Sequence, residues 1–284
     1  MKMTIGEKIK WMRNDKEMSQ AELADALGVS RQAVTKWESD AGIPEVENII
    51  SLAKLFGTTV DALVMNDAPC YSSFIQYDID SHMDFEIESV PAKSFSIEGW
   101  DSEKIRVELN SDTITDLDSD LKVTIESRKR KMELAISKKN DLTDTICRKD
   151  LSVVVKLPKK FIDCVELKTN VDHLALRGFS AEDTEFDGSA DLVCLNDVHG
   201  QIEMDMRSDC RFKVFSLDGS LEINQIERIS RVEVPADLVF KAVDAGRKCE
   251  ITITKGLKNT DDSEDVIELN GMKIMMSIEP MDSQ

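Results

Sequence analysis

The stretch Ser19-Gln20-Ala21-Glu22-Leu23-Ala24-Asp25-Ala26-Leu27-Gly28-Val29-Ser30-Arg31-Gln32-Ala33-Val34-Thr35-Lys36-Trp37-Glu38 decides the fold of the first part of the chain. It reads as two short helices joined by a glycine turn. Ser19 is a good N-cap, and Glu22 three positions later completes a capping box. Leu23, Ala24 and Leu27 share one helical face. Gly28 falls where the first helix must stop and the chain reverse, a place suited to a residue without Cβ. Ser30 caps the next helix. Val34 and Trp37 turn inward from it, leaving Arg31, Gln32, Thr35 and Lys36 on the outer face. An arginine fork matches guanine and a glutamine amide matches adenine, so a face of this composition can read base edges from the major groove.

The flanks of this stretch complete a domain. Ile5, Ile9 and Met12 recur at helical spacing, and after Pro44 so do Ile49, Leu52, Ala53 and Phe56. Gly57 ends that segment, and Thr59 caps a last short helix carrying Val60, Leu63 and Val64. The spacing predicts an all-α, five-helix domain over residues 1–65, large enough to bury one small core.

Residues 4–65 resemble the helix-turn-helix domain of the phage repressor/Cro (XRE) family, a lambda-repressor-like fold. The resemblance is carried by Ile5-Gly6-Glu7-Lys8-Ile9-Lys10, Ser19 to Ala24, Leu27-Gly28-Val29-Ser30, Val34, Trp37-Glu38 and Gly57 to Leu63. It implies that double-stranded DNA is the partner and that Arg31, Gln32, Thr35 and Lys36 contact bases. It implies that Gln20 holds a phosphate and braces a base-reading side chain, with Ser30 beside it at the helix start. It also implies an ion pair between Arg13 and Glu38 that orients two helices. One departure is electrostatic: Asp40, Glu45 and Glu47 surround a loop where many members of the family are basic. Residues 1–66 hold 8 Lys+Arg against 10 Asp+Glu. Phosphate neutralisation supplies most sequence-independent DNA affinity. One copy should therefore bind weakly, and a homodimer reading two half-sites about 34 Å apart is expected.

The remainder is different in kind. The chain as a whole carries a formal net charge of −19, and residues 67–284 hold 28 Lys+Arg against 45 Asp+Glu, a balance that repels nucleic acid. Residues 66–84 lack a clear period and read as a linker. From 85 to 284 the pattern predicts an all-β domain. Arg106 to Leu109, Leu121 to Ile125 and Met132 to Ile136 alternate apolar and polar residues as half-buried strands do. The basic cluster Arg128-Lys129-Arg130-Lys131 falls between two of these runs and reads as a solvated hairpin tip. Val165 to Thr169, Thr184 to Asp187, Ile202 to Asp205 and Leu221 to Asn224 then recur every 18–19 residues. His173 to Leu176, Asp191 to Leu195 and Arg211 to Val214 interleave with them. Asp187-Gly188, His199-Gly200 and Asp218-Gly219 are turn signals. Such a period predicts stacked rungs, a β-solenoid or roll, with a twisted sandwich as the alternative. This half resembles bacterial adhesin-like domains built of short repeated β-rungs, through these runs together with Leu151 to Pro158, Val232 to Pro235 and Ile267 to Ile274.

Other chemistries find little support. Cys70, Cys147, Cys164, Cys194, Cys210 and Cys249 form no C-x-x-C pair and read as free thiols of a reducing cytoplasm, Cys194 as a buried one. His82, His173 and His199 are scattered, so neither a metal nor a cofactor is expected, and His199 reads as a turn residue. No catalytic residue is assigned. No apolar segment is long enough to span a membrane, and the chain begins in a helix rather than a signal peptide. The resulting expectation is a cytoplasmic, DNA-binding transcriptional regulator, a repressor acting as a dimer, whose β-domain dimerises or senses an effector. The competing expectation is an interaction protein whose β-domain is the working part and whose helices only tether it to DNA.

Overall fold

The computed structural model describes residues 4–16, 18–56, 60, 63, 70–114, 116–139 and 141–281, with Asp15 and 70–78 described as backbone only. The chain divides into two compact units, Met1–Cys70 and Tyr71–Gln284.

In the first unit, α1 spans Ile5–Asp15, α2 Gln20–Leu27, α3 Arg31–Glu38 and α4 Val46–Phe56. The caps explain where the helices begin. Thr4 and Ser19 each accept from the backbone N–H three residues on, while Glu7 and Glu22 reach back to the cap N–H, closing two capping boxes. Gly28 ends α2 in the left-handed region at φ 67°, and Ser30 opens α3. One cluster holds the unit together: Ile9, Leu23, Ala24, Val34, Trp37, Ile49, Leu52, Ala53 and Leu63, with Ile5, Met12, Leu27 and Phe56 packed on its edge. Gly6 lets α1 press against the end of α3, since a Cβ there would lie 2.0 Å from the Trp37 carbonyl oxygen. Four helices are described where five were expected. Gly57, expected to end α4, and Thr59 and Val64 of the expected fifth helix lie outside the described residues; Val60 and Leu63 are helical, Leu63 buried and Val60 exposed.

In the second unit the repeated runs stack as two parallel ladders. In the first ladder Thr184, Ile202, Leu221 and Ile267 stand in register, as do Phe186, Met204, Ile223 and Leu269. In the second, Leu174, Val193, Phe212, Val232 and Ile278 do the same. All of these side chains are buried. The period of 18–20 residues is thus the length of chain that visits each ladder once. Earlier strands extend both ladders out of chain order: Met83–Ser89 lies between Lys131–Lys138 and Ile162–Ser189, and Ala92–Trp100 between Ser152–Pro158 and Ile162–Ser189. Lys104–Ser111 and Leu121–Arg128 pair antiparallel against this end.

Outward-facing residues form columns. On the first ladder Glu185, Glu203, Glu222 and Glu268 stack, and beside them Asp187, Asp205, Asn224 and Asn270. A third column, at the corner, carries Ile226, Met272 and Arg247, with Arg207 two residues beyond Asp205. On the second ladder the outward charges are balanced: Arg211 pairs with Glu233 at 2.5 Å, and Arg231 with Glu233 at 3.2 Å and Glu279 at 2.8 Å.

Three sequence expectations change here. The stretch read as a linker contains the strand Cys70–Asp78 and the first two residues of Met83–Ser89, so β-structure starts about fifteen residues before position 85. Of the glycines read as turns, Gly188 stands at the end of the strand Ile162–Ser189 and Gly219 at the start of Asp218–Ile226, whereas the third does not mark a strand end. Gly200 lies inside the strand Leu192–Met206, at φ 112°, and a Cβ there would sit 1.9 Å from the Ala181 carbonyl oxygen of the rung beside it. It is a corner at which the pairing with Asp218–Ile226 runs through and the pairing with Ile162–Ser189 shifts register. Cys194 is half-buried, with Val193 and Leu195 taking the inward positions, and partial burial holds its thiol above the ordinary value.

Candidate nucleic-acid interface

The four residues expected to meet bases are all exposed on α3: Arg31, Gln32, Thr35 and Lys36. The opposite face of the same helix buries Val34, Trp37 and Glu38. Ser30 is also exposed, and its hydroxyl accepts from the Ala33 N–H at 3.2 Å. That bond occupies one lone pair and leaves the hydroxyl proton free to meet a phosphate at the helix start.

Behind this face stands a polar brace that joins α1, α2 and α3. Glu38 Oε1 accepts from Arg13 Nε at 2.5 Å, and Oε2 from Arg13 Nη2 at 3.0 Å. Gln20 Nε2 donates to the same Oε2 at 2.8 Å. The Gln20 Oε1 atom lies 3.0 Å from the Thr35 hydroxyl, which is also 3.0 Å from the Arg31 carbonyl oxygen. Arg13 Nη1 reaches the Met18 carbonyl at 2.6 Å, fixing the turn between α1 and α2. A carboxylate accepts only, so it dictates that the Gln20 amide turns its nitrogen inward and its oxygen toward Thr35. Burial would raise the Glu38 carboxyl, but hydrogen bonds from Arg13 and Gln20 and the Arg13 charge outweigh it and hold the group below the ordinary carboxylate value. The same pair raises Arg13. The pair predicted from sequence is therefore formed, buried and shared with Gln20.

Asp40 has a use that sequence reasoning missed. Its backbone is left-handed at φ 54°. Its Oδ1 accepts from the Gly6 N–H at 3.2 Å and its Oδ2 from the Thr4 hydroxyl at 2.6 Å. An acid read as repelling phosphates serves to cap the positive end of α1. Glu45 and Glu47 stay exposed around the start of α4. In the basic cluster at the hairpin tip three members face acids: Arg128 lies 3.1 Å from Glu126, Arg130 pairs with Asp163, and Lys131 lies 2.6 Å from Glu86. Among the described residues no three His, Cys, Asp or Glu side chains gather in a form that could hold a metal ion, and no helix is long and apolar enough to cross a membrane.

This geometry agrees with comparison against known proteins. Residues 9–63 match the helix-turn-helix family. The first unit is a helix-turn-helix domain. The helix-turn-helix part is 38% identical over 65 residues to the HTH-type transcriptional activator BcrR of Enterococcus faecalis, covering 23% of this chain and 32% of that protein. It is 31% identical to the P22 c2 repressor, solved in complex with synthetic operator 9T, over 22% of this chain and 97% of that one, with a TM-score of 0.22. Beyond the helix-turn-helix domain, a candidate cell adhesion protein from Clostridium sporogenes is 13% identical over 75% of this chain and 100% of its own, with a TM-score of 0.38. The chain spans from about a third to about two thirds of the length of the curated relatives it matches.

Proposed function

We propose that this protein is a sequence-specific, double-stranded-DNA-binding transcriptional regulator of the cytoplasm that acts as a repressor, by binding rather than by catalysis. The supporting observation is the braced reading face: four exposed side chains able to contact bases or phosphates, on a helix locked by the buried Arg13–Glu38–Gln20 group. Arg31 and Gln32 supply base contacts, Thr35 and Lys36 extend them, and Gln20 and Ser30 take phosphates at the helix starts. Since residues 1–66 carry more acid than base, the reading includes a homodimer that doubles the contacts.

The test is a footprint of the purified full chain on the DNA upstream of its own gene. A protected site lost in Arg31→Ala or Gln32→Ala, with folding intact, supports the reading. Binding that is sequence-blind, erased by salt and equal in wild type and variants rejects it in favour of a helical unit that only tethers the β-domain.

A further inference from the structure

The outward face of the first ladder is acidic at one side and cationic and apolar at the other, within the same rungs. The two inner columns carry Glu185, Glu203, Glu222, Glu268, Asp187 and Asp205 with few cations between them. The corner made by 207–209, 226–229, 247–250 and 272–275 carries five Lys+Arg against three acids, in a chain of net charge −19. Lys273 takes up Glu227 at 2.5 Å, and Arg207 meets Asp187 across the rungs. The same corner exposes four large apolar side chains: Ile226 (64%), Ile229 (55%), Met275 (52%) and Met272 (42%). They stack in pairs, Ile226 on Met272 and Ile229 on Met275. Together they give a patch of the few-hundred-Å² size that marks interaction sites.

Between the two sides runs an open groove of about 480 Å³ bordered by Asp205, Arg207, Asn224, Ile226, Arg228 and Asn270. Asn224 Oδ1 is buried there with no hydrogen-bond partner. Glu203 is raised above the ordinary carboxylate value by partial burial and by Asp205, Glu222 and Glu185, and Glu268 by burial and Glu222. The second ladder balances its outward charges internally; this face does not.

We propose that this face is where a second copy of the chain docks, related by a two-fold axis through the middle column. A half-turn about that axis lays the glutamate column of each copy over the cationic, apolar corner of the other, with the mixed Asp/Asn column facing its own counterpart on the axis, so one surface complements itself. Size agrees: four rungs about 4.8 Å apart and about eight residues along each give on the order of 500 Å² in plan, and side-chain relief brings this toward the roughly 800 Å² per partner of a stable interface. The inference rests on the dimeric arm of the proposed function and supplies its surface.

Sedimentation of the full chain without DNA tests it, using two charge-reversed variants: Glu203→Lys/Glu222→Lys and Arg207→Glu/Arg228→Glu. Wild type is expected to be a dimer at micromolar concentration, and each variant alone to weaken self-association at least about tenfold. An equimolar mixture of the two is expected to dimerise again, because each copy then carries what the other lacks. Ile226→Asp should dissociate the dimer while leaving the thermal unfolding of the β-unit in place. A monomeric wild type, variants that dimerise like wild type, or a mixture that stays monomeric overturns the proposal, as does recruitment of a monomeric chain to vesicles of anionic lipid through this corner. A footprint from a monomeric wild type would reject this interface and leave the DNA-binding reading standing. A dimer through this face with no footprint would do the reverse.

Discussion

Glu38 and Glu203 show two ways in which an acidic chain handles a carboxylate. Glu38 is almost entirely buried, yet three donors from Arg13 and Gln20 face it, and it sits below the ordinary carboxylate value. Glu203 is exposed, receives one amide hydrogen bond from Asn224, has carboxylates one rung away on both sides and sits above that value. The helical unit places its charge where it orients the exposed face of α3. The first ladder leaves charge unmatched on a surface that has room for a partner.

The largest effect should come from breaking the matched site. Glu38→Ala leaves the Arg13 guanidinium buried without its counter-ion, and removing one partner of a buried pair costs about 3–5 kcal/mol. Denaturant unfolding of the helical unit should show a loss of that size. A loss under about 1 kcal/mol would mean that the brace is ornamental and that the contrast with Glu203 is false. Next in size is Gly200→Ala, which places a Cβ 1.9 Å from a backbone oxygen at a φ that L residues avoid. A strained residue of this kind costs about 1–3 kcal/mol before the clash is relieved, and the loss should appear in the β-unit alone. Arg31→Ala should cost about 1–3 kcal/mol of specific DNA binding with unfolding unchanged.

Acidification should move the two regions in opposite directions. The folded value of Glu38 is depressed, so its contribution is complete above about pH 4.3, the usual unfolded value, and fades as pH falls through the lower folded one. Glu203 and Glu268 are raised, so what they contribute is complete below that usual value and lost as pH rises through their folded ones. Amide exchange followed separately for each unit should show the first ladder gaining protection between neutrality and the carboxylate range, with the helices losing it only below. Loss of protection in both regions over the same interval would remove the distinction. The smallest effect is Glu203→Gln, which should leave β-unit stability unchanged or slightly higher at neutral pH.

Much of the helical unit was legible in sequence because its determinants are local. Ser19 with Glu22 and Ser30 with Ala33 lie three residues apart, and Leu23 and Val34 follow the helical period. Asp40 was not legible, since its partners Thr4 and Gly6 lie 36 and 34 residues away. The rungs were legible as a period because each repeats one pattern of inward apolar residues. One corner was misread: Gly200 carries a turn signal, but Asp218–Ile226 pairs straight through it on one side while the register only shifts between Ser180 and Asp183 on the other, so no strand ends there. The strand Cys70–Asp78 shows no clear alternation and was read as linker, which also took in Met83 and Asp84 at the start of the plainly alternating Met83–Ser89. The brace residues Arg13, Gln20 and Glu38 were placed by family resemblance, not by spacing. No periodic signal connects three polar residues on three helices.

The out-of-order insertion of Met83–Ser89 between Lys131–Lys138 and Ile162–Ser189 sets a timetable for synthesis. That strand cannot acquire both neighbours until position 168 has left the ribosome. The helical unit closes on contacts contained within its first 63 residues. At about 5–20 residues per second, the reading helix exists for roughly 5–20 s before the β-unit can finish its first complete rung. During translation, then, the helical unit stands complete and alone before any full face of the first ladder has formed.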